Sequence, residues 1–181
     1  MTAGVATPTA FAAEGARRAP GFTLVELVLL ISILGILAVL AVPEQSVFHE
    51  AKVRAAARRL VSDLRYAQSR TMASRTVHHV VFDPERERYA VTAPGLATPV
   101  ADPADRGRAL ARDYAASGEF RGVSIASASF GGGEEVAFDY LGTPRTASGA
   151  ALREPGRVVL GYEGVTAEVE VAPGTGAVRI R

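Results

Sequence analysis

The sequence predicts an α+β protein: one long N-terminal helix, apolar in its first half and amphipathic in its second, followed by an antiparallel, strand-rich domain. Three observations carry this. Apolar residues are massed between Leu24 and Val42, a three-and-four repeat runs from Val53 to Thr71, and beyond Thr76 the hydrophobic period shifts toward two. A chain of 181 residues accommodates one modest domain and an extra element. Such a domain buries a core without metals or disulfides.

The apolar half comes first. Leu24 to Val42 reads LVELVLLISILGILAVLAV, with Glu26 its only charge. With Phe22 and Thr23 the run is 21 residues, or roughly 31 Å as a helix, which matches a hydrocarbon core of roughly 30 Å. Arg17 and Arg18 precede it, with no other basic residue upstream, so the N-terminus is expected in the cytoplasm and the rest of the chain across the membrane. An ordinary secretory signal peptide is the competing reading, with Val39-Leu40-Ala41 as its cleavage site. The length of the run and the acid near its start argue against it. A carboxylate at membrane depth costs a few kcal/mol on insertion scales and marks a functional candidate. The plainer account of Glu26 is a helix N-terminal charge favoured by the macrodipole.

Past Pro43 the pattern becomes amphipathic. Val53, Ala57, Leu60, Leu64, Ala67 and Thr71 fall on one helical face, flanked by Val61, Gln68 and Met72. The two halves would form one helix of about fifty residues, bent near Pro43 because proline removes a backbone donor and crowds the preceding turn. The other face reads as basic: Lys52, Arg54, Arg58, Arg59, Arg65, Arg70 and Arg75 against Glu44, Glu50 and Asp63. It fits a solvated surface, or contact with acidic lipid, acidic protein or nucleic acid.

Strands follow. Val77–Phe82 and Tyr89–Thr92 are joined by the turn Asp83-Pro84-Glu85-Arg86. Thr98 to Gly118 has no clear period and reads as a loop with one helical turn. Further strands are expected at 123–129, 136–140, 157–162, 165–171 and 177–180, punctuated by Gly131-Gly132-Gly133, Leu141-Gly142-Thr143-Pro144 and Pro173-Gly174-Thr175-Gly176.

The segment Arg17-Arg18-Ala19-Pro20-Gly21-Phe22-Thr23-Leu24-Val25-Glu26 resembles the prepilin cleavage and methylation signal. The resemblance implies that a membrane-embedded prepilin peptidase cuts after Gly21 and methylates the new terminus at Phe22. It further implies that Glu26 serves filament assembly and that Pro43 is a helix-bending proline. Glycine suits the first role because it lets backbone enter a protease cleft. A buried Glu26 carboxylate would find its partner in the positive amine of Phe22 on an adjoining subunit.

The stretch from Arg59 to Arg70, the strand ending Phe82-Asp83-Pro84, the segment from Val136 to Pro144 and the closing Thr175-Gly176-Ala177-Val178 look like the GspH/FimT group of pseudopilins and minor pilins. That group consists of structural parts of type II secretion pseudopili or type IV pili. The implied architecture is pilin-like: leader 1–21, transmembrane half 22–43, amphipathic half 44–76, and a periplasmic β-rich domain 77–181. The implied setting is the bacterial inner membrane, crossed once, with other minor and major pseudopilins or pilins and membrane lipid as partners. A minor pseudopilin near the tip of a type II secretion pseudopilus is the first reading. A minor type IV pilin serving pilus assembly or DNA uptake is the second.

Catalysis is not expected. The absence of cysteine excludes thiol chemistry and cysteine metal sites. His78 and His79 are adjacent on a strand and point to opposite faces, and His49 is far along the chain. The serines at 124, 127 and 129 lack a Gly-x-Ser-x-Gly elbow, the glycine triplet lacks a following Lys-Ser/Thr, and Asp83, Glu85 and Glu87 lack the spacing of a calcium loop. No cofactor or metal is expected, which leaves a membrane-anchored periplasmic enzyme as a remote third reading. For nucleic acid the candidates are Arg179 and Arg181, on one face of the last strand, with Arg157 nearby. From Phe22 onward, omitting Glu14, Arg17 and Arg18, the chain carries 18 basic and 18 acidic side chains. That balance gives little long-range attraction for a polyanion.

Overall fold

The computed structural model describes residues 21–40, 45–94 and 98–181. The leader, residues 41–44 with the expected bend at Pro43, and 95–97 lie outside the described residues. The chain divides into two units, Met1–Pro43 and Glu44–Arg181.

In the first unit α1 spans Leu24–Leu40, 17 residues. Among the described residues no helix is long and apolar enough to cross a membrane. The expected span runs on through 41–43, outside them.

In the second unit α2 spans Gln45–Ser74 and ends where Arg75 turns into the left-handed region, φ 53°. The six positions of the expected stripe, from Val53 to Thr71, are all 0% exposed. Burial of each large apolar side chain contributes roughly 1.5–3 kcal/mol, so packing holds this helix more than propensity does.

The strands are β1 His78–Asp83, β2 Arg88–Thr92, β3 Ala111–Asp113, β4 Ser124–Ser129, β5 Glu135–Phe138, β6 Pro144–Thr146, β7 Gly156–Tyr162, β8 Val165–Val171 and β9 Val178–Ile180. They form two antiparallel sheets, ordered β3-β2-β1-β5-β6 and β4-β7-β8-β9. The antiparallel β-rich domain expected from period two is therefore present. The stretch from Thr98 to Gly118 differs from expectation: it forms no helical turn but supplies β3, pairing with β2, and an isolated bridge between Ala101 and Ala109.

The apolar stripe of α2 packs on β7, β8 and β9 of the second sheet and on β1 and β5 of the first. Aromatic rings join the layers. Phe130, just after β4, stacks on Phe82 of β1 at 5.6 Å, and Tyr89 and Tyr114 continue the chain. A side chain at Gly156 would overlap the Phe130 ring, so this close approach requires glycine.

At one end of the unit, Gln68 of α2 donates its amide to the carbonyl oxygens of Gly142 and Thr175. Gly142 is left-handed, φ 81°, in a turn held by the Asp139 carboxylate, which accepts from Leu141 N and Thr143 N at 2.9 Å each. Burial alone would raise the Asp139 pKa. The Arg145 guanidinium and the two backbone donors outweigh it and hold the carboxyl below its usual range.

Candidate functional site

The site begins outside the helix. Gly21, Phe22 and Thr23 are not helical, and the first turn of α1 opens on a cap at Thr23. Its carbonyl accepts from Leu27 N at 3.1 Å, and its hydroxyl accepts from Glu26 N at 3.2 Å. Thr-Leu-Val-Glu is thus a capping-box sequence with its threonine bond made. Glu26 occupies the third position of the helix, where the macrodipole favours an acid. The Glu26 N–H serves the cap while its side chain stays at the surface. Phe22 is 74% exposed and a side chain at Gly21 would meet no atom within 4 Å. The apolar side chains of α1 are exposed along its length, from Leu24 to Leu37.

The second sheet brings together the arginines considered for nucleic acid. Arg157, Glu170 and Arg179 lie side by side across β7, β8 and β9. Alternation does place Arg179 and Arg181 on one face, but they converge on a carboxylate. Glu170 is 1% exposed. Its Oε1 accepts from Arg179 Nη2 at 2.5 Å, and Arg181 Nε lies 2.8 Å from Oε2 without the alignment of a hydrogen bond. Arg157 sits 3.3 Å from Glu168. These guanidiniums are engaged within the protein, which leaves a weak phosphate site.

Two features of α2 differ from expectation. The basic residues do not form one face. Arg54, Arg58 and Arg65 flank one side of the apolar stripe and Lys52, Arg59 and Arg70 the other, and most have partners. Lys52 donates to Arg121 O at 2.6 Å and lies over the Tyr162 ring, Arg65 donates to Val178 O at 2.8 Å, and Arg70 donates to His78 Nε2 and Tyr66 Oη.

Asp63, placed by the sequence reading among solvated charges, is 3% exposed. Its Oδ2 accepts from Tyr89 Oη at 2.9 Å and from Arg112 Nε at 3.0 Å, and Arg112 Nη1 reaches Asp102 at 2.7 Å. Burial opposes the charge on Arg112, but the two carboxylates outweigh it and raise its pKa. Burial raises the pKa of Asp102 too, and there a backbone donor at Ala104 with Arg112 and Arg59 brings it below the usual range. The segment from Asp102 to Arg112 of β3 is pinned to α2 by this network.

His78 points inward and His79 outward, as strand alternation requires. His78 Nδ1 lies 2.7 Å from Thr76 O and 3.2 Å from Thr71 Oγ1, while His79 pairs with Glu135.

The chain resembles a type IV minor pilin of known structure. That protein is FimU of Pseudomonas aeruginosa strain PAO1, at 16% identity and a TM-score of 0.48, over 72% of this chain and 89% of that one. No family model and no curated protein matches the chain.

The sequence reading missed the Asp63–Arg112 network, the Glu170 clamp and the cap at Thr23. Each had a signal. Asp63 falls three residues after Leu60 and four before Ala67, within the apolar stripe. Glu170 stands among valines in β8, and the Thr-x-x-Glu spacing was in plain view.

Proposed function

We propose that the chain is cut after Gly21, methylated at Phe22 and built through α1 into a filament anchored at the bacterial inner membrane, with its β-rich domain on the periplasmic side. Its role is structural: a minor pseudopilin of a type II secretion system, serving export near the pseudopilus tip with other pseudopilins as partners. The observation that carries this reading is the order of features at the N-terminus. A side-chain-free residue and an exposed phenylalanine lie in non-helical chain, immediately before an apolar helix whose first turn holds an acid. The exposed apolar surface of α1 needs lipid or other helices to cover it. An amphipathic second helix packed on antiparallel sheets is the architecture expected of the group.

Mass spectrometry of the membrane form tests it. The expected terminus is N-methylated Phe22, and Gly21→Val should block its appearance. An intact Met1, or a terminus at Val42, would overturn the reading.

A minor type IV pilin is the second reading. Its nucleic-acid version draws on Arg157, Arg179 and Arg181, whose guanidiniums are partly exposed though engaged by Glu168 and Glu170.

A further inference from the structure

Acidic and basic side chains balance from Phe22 onward, yet they are unevenly placed. Arg54, Arg58 and Arg65 share one stripe of α2 by their spacing of four and seven. β9 lies alongside, since Arg65 donates to Val178 O. Two hollows, of about 510 and 370 Å3, follow this junction and share Arg58 and Ile180 as lining. Arg65 and Arg179 line the first, and Arg54 and Arg181 the second. Five arginines thus border one trough. The acids among them are already engaged, Glu50 with Arg54 at 2.6 Å and Glu170 with Arg179 and Arg181. Arg58 is exposed and makes no hydrogen bond or ion pair among the described residues.

The trough also has a strand edge. β9 is the last strand of its sheet. Arg181 N donates to Glu168 O of the neighbouring strand at 2.8 Å, so Arg179 and Arg181 turn their backbone groups toward β8. By alternation Val178 and Ile180 turn theirs outward. Val178 O is taken by Arg65, which leaves the Ile180 N–H and C=O turned away from β8 without a backbone partner among the described residues, beside a side chain that is 37% exposed.

We propose that this trough docks an extended, acidic segment of a partner protein, which adds to the β9 edge and places its carboxylates among the arginines. Unpaired edge groups recognise a strand directionally, and alternating side chains then meet the charges on either side. A nucleic-acid backbone satisfies the charges but not the edge. The proposal stands apart from the filament reading. It does not involve α1, and the terminus found by mass spectrometry is unaffected by its failure.

The test uses the full chain in detergent micelles, with three fluorescent probes: a short peptide alternating glutamate and valine, the same peptide with lysine for glutamate, and a single-stranded oligonucleotide of similar length. The glutamate peptide should bind best. Arg58→Glu, at a residue with no partner among the described residues, should weaken it by about tenfold or more. Ile180→Pro removes an outward N–H while sparing the ladder to β8, and should weaken the peptide with little effect on residual oligonucleotide binding. Unchanged thermal melts of both variants exclude misfolding. Equal binding of both peptides, tighter binding of the oligonucleotide, or indifference of the glutamate peptide to Arg58→Glu would each overturn the proposal.

Discussion

Gln68 on α2 donates its side-chain amide to the carbonyl oxygen of Gly142 at 2.8 Å, tying the helix to the turn between β5 and β6. The same amide reaches Thr175 O at 3.1 Å, and Gly176 closes the junction. Three stretches far apart in the chain, around Gln68, Gly142 and Gly176, therefore meet at one point.

Gly176→Ala should be among the most damaging small substitutions. The residue is left-handed at φ 66°, and an added Cβ would lie 2.5 Å from both Gln68 Nε2 and Gly142 O. Strain and a displaced amide together should cost about 2–3 kcal/mol, seen as a lower urea midpoint. Gln68→Ala should cost less, about 1–2 kcal/mol, because water can reach part of what it exposes.

Arg112→Met should destabilise strongly, because it leaves the buried Asp63 with only the more distant Arg59, at 3.6 Å, to balance its charge. Breaking such a pair costs about 3 kcal/mol, here lessened by the 21% exposure of the Arg112 side chain. Adding Asp63→Asn to Arg112→Met should recover part of the loss. A double-mutant cycle by chemical unfolding would find no coupling if the network were ornamental.

His78 makes stability depend on pH. Burial lowers its pKa from 6.5 and outweighs the Thr76 carbonyl that raises it, with Arg70 and His79 adding to the depression. The unfolded chain therefore binds a proton that the folded chain resists. Stability from this residue is intact well above pH 6.5 and falls as pH drops through that value toward the lower folded pKa. Unfolding of the native chain between pH 7.5 and 5 should show this slope, and His78→Gln should flatten it.

Glu26→Ala should separate processing from assembly. Membrane insertion and cleavage after Gly21 should remain nearly intact, while co-purification with other pseudopilins falls by roughly tenfold or more. Glu26→Asp, with its shorter reach, should lie between. Normal co-purification of the alanine variant would show that the outer domain alone holds the subunit.

Much of the fold was legible because it follows period. The stripe from Val53 to Thr71 recurs at three and four, and the longer strands alternate. β3 and β6 were not legible: each is three residues long, Ala-Arg-Asp and Pro-Arg-Thr, with no alternation to read. They exist because neighbouring strands offer them an edge, which no local pattern encodes. The N-terminal candidates could be named because a linear motif is local by nature; the structure adds their setting, non-helical chain at Gly21 and Phe22 and a capped first turn at Glu26. The Asp63 and Glu170 clusters were not legible, since Arg112 lies 49 residues from Asp63 and the Glu170–Arg179 pair depends on the register between β8 and β9. An acid amid an apolar repeat signals such a partner without saying where it is.

The cap at Thr23 has a consequence for timing. A peptide bond wound into a helix is reachable only after the helix opens, which requires breaking several hydrogen bonds at once. Because α1 starts at Leu24, the bond between Gly21 and Phe22 lies outside the helix, and any enzyme acting there has no helical turn to melt first. In the proposed function, trimming and packing would thereby fall on opposite sides of a single hydroxyl. Changing where the helix begins, even by one turn toward the N-terminus, would make one compete with the other.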